Sequence, residues 1–155
     1  MLVKIETVED RVVNWLIYLA VALVGTMTLA THPSAAVQPC LSYTGRVQLS
    51  GSLVRRTFPG PPNYQSIAAG DLPEIYWLVQ LDEPICVDPD SDDPMNGPTA
   101  GVTAVQLVLT LEQYNVYGDL IGHHLSVEGR LFSAFTGHHH TPVLMEKVTF
   151  VKAAR

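Results

Sequence analysis

Three consecutive histidines, His138 to His140, are the residues whose type and spacing come closest to a chemical site. On an extended chain, side chains two residues apart point to the same side, so His138 and His140 face one way and His139 faces the other. Two imidazoles at this spacing can share a divalent metal ion such as zinc, with further ligands from elsewhere in the fold. The same side chains can instead shape a solvent-facing hairpin, contact a ligand, or respond to pH. These interpretations all stay open at this point.

An acidic turn provides further candidate ligands. Residues 88–93 read DPDSDD, and strand direction places this turn at the end of the predicted fold that carries the histidines. Asp90 and Asp92 would then complete a mixed histidine and aspartate site with His138 and His140. One function that the sequence allows is therefore a divalent-metal-binding protein, or a metal-dependent enzyme, with these four ligands.

A long loop, residues 59–73, is the second segment with the features of a binding site. It is rich in proline and glycine, and long loops of this kind are often functional. Arg55, Arg56, Tyr64 and the nearby Trp77 can bind a sugar or an anionic peptide by stacking and charge. The alternative is that the apolar side chains of the loop fold it onto the domain.

The elements that position these segments follow a recognisable order. Strands are predicted over 45–58, 75–87, 102–110, 124–135 and 143–152, and a short helix over 111–120. Three strands, a helix and two strands is the order of an OB-fold, a partly open five-stranded barrel. Gly51 and Gly129 replace inward apolar residues and permit sharply bent strands. We therefore predict a mainly β domain over 37–155, a small five-stranded OB-like barrel with one short helix between strands three and four.

The first 36 residues predict an export signal. Residues 12–30 form an uncharged apolar run, and Ser34 and Ala36 are the small residues expected before a cut between Ala36 and Val37. An uncleaved membrane anchor is the alternative, because the run is nearly long enough to span a bilayer. A periplasmic or secreted location follows, with membrane attachment only through an uncleaved leader.

Cys40 and Cys86 are the two cysteines of the chain. In an exported protein, two cysteines usually form one disulfide. If the first two strands are antiparallel, the start of one lies beside the end of the other, which would bring these two sulfurs together. Two buried free thiols, or a metal site, are the alternatives.

Composition argues against a nucleic-acid ligand. The net charge is −6, and Arg55 and Arg56 are the one adjacent basic pair, so little basic surface can release counterions from phosphates. The sequence has no G-x-S-x-G motif and no paired carboxylates in a defined frame. We therefore expect a protein that is not an enzyme.

Several unusual stretches resemble a known family. RRTFPGPPNYQSIAAGD, YWLVQLDEPICV, VQLVL and TGHHHT are similar to exported bacterial proteins of the domain-of-unknown-function family four-four-three-one. The resemblance extends from Cys40 to about Val151 and implies an exported OB-like domain, with no catalytic residue to carry over. We expect a binding module, in one version an inhibitor or immunity protein, that recognises an envelope or secreted protein or a cell-wall saccharide. The 59–73 loop and the hairpin of residues 136–141 flank the usual OB binding face.

Overall fold

A computed structural model describes residues 38–151, so the predicted signal peptide or anchor of residues 1–36 lies outside the described residues. The described chain is mainly β with one short α-helix, as predicted. Its strands are β1 (Leu41–Ser42), β2 (Arg46–Pro59), β3 (Pro73–Asp88), β4 (Thr99–Leu107), β5 (His124–Ser133) and β6 (Val143–Val151). The helix α1 is Leu111–Val116, and single turns of 3-10 helix lie at Ile67–Ala69 and Gly118–Leu120.

The six strands form one sheet whose hydrogen bonds run in a ring. The order is β1-β3-β2-β5-β6-β4, and β3 also pairs with β4. Within the ring, β4 and β6 pair in parallel and the other neighbours are antiparallel. All five predicted strands are present. The additional strand, β1, has two residues, too few for any alternation of polar and apolar side chains to reveal it.

The helix is shorter than predicted. A capping box begins α1, in which the Thr110 hydroxyl accepts a hydrogen bond from the Gln113 backbone and the Gln113 side chain accepts one from Thr110. The helix ends at Val116, just before Gly118, whose low helix propensity favours the change to a 3-10 turn. Among residues 38–151, no helix has the length and apolar character needed to cross a membrane.

The disulfide between Cys40 and Cys86 is confirmed, with Cα atoms 4.7 Å apart. The first two long strands, β2 and β3, are antiparallel as the prediction assumed, but their pairing ends at Gly51 and Leu81, before Cys86 is reached. Instead, β1 pairs in parallel with the end of β3, where Leu41 lies in register with Val87. Each cysteine precedes one member of that pair, so the bridge and β1 hold the start of the domain together.

Two inward glycines allow neighbouring strands to approach closely. Gly51 is in register with Leu81 of β3 and also with Leu125 of β5, so it marks the point where β2 changes partner. A Cβ atom at Gly51 would overlap the carbonyl oxygen of Gln80. At Gly129, a Cβ atom would lie 2.6 Å from the carbonyl oxygen of Glu146, so neither position has room for a side chain.

The hydrophobic core fills the inside of the ring. Buried side chains at alternate positions of all five long strands form it, including Leu53, Val79, Val105, Val127 and Met145. Trp77 belongs to this core. It is 5% exposed, and its ring packs edge-on against Tyr114 of the α1 helix. The expectation that Trp77 contacts a ligand is therefore corrected, because its place in the alternation of β3 directs it inward.

Candidate functional site

The histidine hairpin, residues 136–141 between β5 and β6, is held in place by one buried glutamine at the end of β4. The Gln106 side chain donates to the carbonyl of His138 (2.9 Å) and accepts from the backbone N–H of His140 (2.8 Å). The backbone N–H of Gln106 donates to the Thr141 hydroxyl at 3.0 Å. Gln106 is 2% exposed, so water cannot easily replace these bonds. The backbone of the hairpin is consequently held in one conformation.

His138 connects the hairpin to β3 and to the 59–73 loop. Its Nδ1 lies 2.9 Å from Glu74 Oε2, and its Nε2 lies 3.0 Å from the Tyr64 hydroxyl. A ring that donates through Nδ1 and accepts at Nε2 satisfies both contacts. Tyr76 also donates to Glu74 Oε2, at 3.2 Å. Burial, together with the charge of Glu74, raises the pKa of Tyr76 to about 12. The side chain of His138 is 49% exposed and remains accessible to a ligand.

His140 faces the same side as His138 but is enclosed. Its ring stacks on Phe58 with centroids 4.2 Å apart and an interplanar angle of 2°. Its side chain is 10% exposed, and Nε2 has no hydrogen-bond partner, with Glu74 Oε2 3.9 Å away. Burial lowers the pKa of His140 below its usual value, the charge of Glu74 opposes that shift, and the charge of His138 adds to it. His140 is therefore a packed, neutral ring that anchors the hairpin.

The 59–73 loop is organised around one buried carboxylate. Asp71 accepts hydrogen bonds from the backbone N–H groups of Asn63 (2.9 Å), Gln65 (2.7 Å) and Ser66 (2.8 Å). The bond from Ser66, followed by that from Gln65, holds the pKa of Asp71 below its usual value. The loop is accordingly folded on itself by a carboxylate. The structural alternative expected apolar side chains to fold it onto the domain, but Ile67 is 43% exposed.

The 59–73 loop and the histidine hairpin are in contact. Tyr64 has a left-handed backbone with φ of 59°, and its ring lies under Gly137 so closely that a Cβ atom there would be 2.7 Å from Tyr64 Cγ. The ring also meets His138 edge-on, with centroids 5.0 Å apart. The two segments singled out in the sequence therefore form one continuous surface.

His139 points to the opposite side of the hairpin, as the alternation predicts. Its Nδ1 accepts from the backbone N–H of Phe135 (3.1 Å), and its ring packs edge-on against Phe135 and Phe132. Burial lowers the pKa of His139, and the neighbouring histidines add to that effect. The ring lines a cleft of about 850 Å³ that the acidic turn also lines. Phe135, at the edge of this cleft, is 62% exposed.

The acidic turn lies on the His139 side. The backbone N–H of Asp90 donates to the carbonyl of Asn96, three residues after the turn, at 2.9 Å. The side-chain oxygen of Asn96 accepts from the backbone N–H of Ser133 at 2.9 Å, so Asn96 joins the turn to the end of β5. The Asp90 carboxylate accepts from the backbone N–H of Asp92 at 3.0 Å, so this carboxylate stabilises the turn itself. The prediction that the turn and the hairpin share one end of the fold is thus fulfilled for His139.

The predicted metal ligands do not come together. His138 and His140 face Glu74, whereas Asp90 and Asp92 line the cleft on the other side of the hairpin. In the part of the chain that the structure describes, no three His, Cys, Asp or Glu side chains are grouped so as to hold a metal ion. The physical reason is the alternation itself, because it directs the histidine pair and His139 to opposite sides.

The basic pair lies apart from the cleft. Arg55 and Arg56 are exposed near the end of β2, in register with Trp77 and Tyr76. Arg56 shares its strand face with Tyr76 and so lies beside the surface formed by the loop and hairpin.

Sequence reasoning missed the three residues that fix the site. Gln106 carried a signal, since a polar residue inside the apolar run VQLVL needs buried partners. Glu74 and Asp71 carried none, because a carboxylate beside loop prolines is ordinarily solvent-exposed.

The model of one family, described as Domain of unknown function (DUF4431), matches residues 104–152. This DUF4431 segment contains the histidine hairpin and Gln106, and it confirms the family predicted from the motifs. It covers less of the chain than the resemblance implied, since the 59–73 loop lies outside the match. No curated protein and no solved structure matches the chain significantly.

Proposed function

We propose that this chain is an exported, non-catalytic binding module of the bacterial envelope. In this proposal the ring of strands is an OB-like barrel. A protein or saccharide partner is recognised at the histidine hairpin, through His138 and the 59–73 loop on one side and through the cleft beside His139 on the other. The strand pairing supports the barrel, because three sequential strands and a returning pair close the ring through β4 and β6.

One observation carries the proposal: the hairpin is held where it meets the sheet, and Phe135, the residue just before it, exposes an aromatic side chain in the cleft beside His139. Gln106 and Glu74 hold the hairpin through its backbone and through His138. Phe135 is nevertheless 62% exposed. A fixed aromatic side chain loses little conformational entropy when a partner covers it, which makes it a favourable anchor for binding.

The proposed location is the periplasm or the cell exterior. The Cys40–Cys86 bridge supports an oxidising compartment, where disulfides form and persist. An inhibitor- or immunity-like role, in which the module blocks a secreted toxin or wall-degrading enzyme, is the specific version that the rigid surface suits. The acidic composition disfavours nucleic acid as the partner.

Capture from an envelope extract tests the proposal. Wild-type protein should retain a partner protein or a wall saccharide, and Phe135→Ser should lose it because the exposed anchor is gone. Ile75→Ser is the matched control, since Ile75 is a similarly exposed apolar residue outside the cleft. Equal retention by both variants would remove the cleft side of the hairpin from the function.

A divalent-metal-binding protein is the second candidate. The buried Nε2 of His140, without a hydrogen-bond partner and facing the Glu74 carboxylate, favours it. A metal here would have to draw Glu74 away from its hydrogen bonds to His138 and Tyr76. Elemental analysis of protein purified without a His tag should then show stoichiometric metal that His140→Phe abolishes, and metal-free wild-type protein would eliminate this candidate.

A further inference from the structure

We infer that the partner presents a cationic, amphipathic polypeptide segment, and that this segment lies in a groove running from the cleft beside His139 to helix α1. The inference rests on the proposed function and names the chemistry of the partner. We call this feature the acidic groove; its apolar side chains are Phe135, Met95, Val108 and Val116.

The acidic groove joins two concavities that share Val108. The cleft beside His139, of about 850 Å³, and a second concavity of about 610 Å³ against α1 are both lined by Val108. Exposed apolar side chains follow this path. Phe135, Met95 and Val116 each expose three-fifths or more of their surface, and Val108 exposes 45%. Apolar side chains that are arranged contiguously and left open in this way are typical of an interaction site.

The charges along the groove are mostly negative. Its acidic side chains are Asp90, Asp92, Asp93, Glu112 and Glu146, and its basic ones are Arg130 and Lys147. Arg130 is already paired with Glu146 at 2.7 Å. The Asp92 carboxylate accepts one long hydrogen bond, from the Ser91 hydroxyl at 3.4 Å, and forms no ion pair with the described residues, so it can meet a cation. The groove therefore offers exposed apolar side chains together with an excess of negative charge.

Lysine and arginine side chains fit this combination. Their long stems pack along apolar surface while the charged ends reach a carboxylate, and a cation can also sit over the ring of Phe135. A second copy of this chain fits poorly, because a two-fold contact would place one acidic rim against the other. A neutral saccharide would leave the carboxylates without a charge partner.

Peptide binding to the full-length protein tests the inference. The probe is a synthetic peptide in which lysine and leucine alternate, and the comparison peptide has glutamate in place of lysine. Calorimetry at low salt should detect only the lysine peptide, and its affinity should fall as sodium chloride is raised. We expect Asp92→Asn to weaken binding about threefold and Phe135→Ala about tenfold or more. Glu83→Gln removes an exposed acid outside the groove and should leave binding unchanged.

Three results would overturn the inference. The glutamate peptide could bind as well as the lysine peptide, Asp92→Asn could behave like Glu83→Gln, or neither peptide could bind. A dimer in sedimentation that Phe135→Ala dissociates would assign the groove to a second copy instead. The envelope-capture experiment with Phe135→Ser distinguishes a failure of this inference from a failure of the proposed function. If capture succeeds while the lysine peptide fails, only the cationic class is wrong.

Discussion

Replacing Gln106 by leucine should release the histidine hairpin while preserving the ring of paired strands. The side chain joins the sheet to the hairpin through the carbonyl of His138 and the N–H of His140, at 2.9 and 2.8 Å. Leucine is similar in volume, so the substitution removes both bonds without opening a large cavity.

The expected loss of stability comes from the two backbone groups that Gln106→Leu leaves without a partner, the carbonyl of His138 and the N–H of His140. A buried donor or acceptor without a partner costs about 1–3 kcal/mol. Water can reach the His138 carbonyl more easily than the His140 N–H, so the carbonyl costs only about 1 kcal/mol and the N–H up to about 3 kcal/mol. Together they lower the free energy of unfolding by about 2–4 kcal/mol. A small domain has about 5–15 kcal/mol of stability, so Gln106→Leu should still fold.

Chemical denaturation and hydrogen exchange measure this effect. Gln80→Leu is the matched control, since Gln80 makes one exposed bond to the Thr103 carbonyl (2.9 Å) that water can replace. The control should lose less than about 1 kcal/mol of unfolding free energy. In Gln106→Leu, the His140 amide should also exchange much faster. If both variants lose equal stability and the His140 amide stays protected, Gln106 does not hold the hairpin.

Three further predictions follow from the described contacts. Removing the Cys40–Cys86 bridge, which closes a separation of 46 residues, should cost about 4 kcal/mol in unfolding experiments. Gly51→Ala should prevent folding or destabilise strongly in thermal denaturation, whereas Gly45→Ala, which has open space around it, should change little. Because burial lowers the pKa of His140, the unfolded chain takes up a proton first as the pH falls below about 6.5. Stability should therefore decline between pH 7.5 and pH 5.5, and His140→Phe should reduce that decline; an equal decline would contradict the assigned burial effect.

The strands were predictable because alternation of apolar and polar residues is a local property. Leu49 and Leu53, for example, lie in the core as the pattern indicates. Local pattern also showed that His139 would face away from His138 and His140. The β1 strand was missed because two residues have no period. The disulfide was predicted from the antiparallel pairing of the first two long strands, which the structure shows, but β1 makes the direct contact beside the bridge.

The site was less predictable because its contacts join residues far apart in the chain. Glu74 meets His138 across 64 residues, and no property of either local sequence indicates the other. Trp77 was assigned to ligand binding from its type alone, although its strand position directs it into the core. Type and spacing therefore identified the hairpin, while the partners that fix it depended on the closing of the sheet.

Site-specific photocrosslinking in living cells tests the central claim most directly. Benzoylphenylalanine placed at position 135, in the cleft beside the histidine hairpin, should give a discrete crosslinked product with one envelope partner. The same probe at position 83, which is also exposed but lies outside that cleft, should give none. Crosslinking at position 83 and not at 135, or at neither position, would contradict a binding role for the hairpin surface.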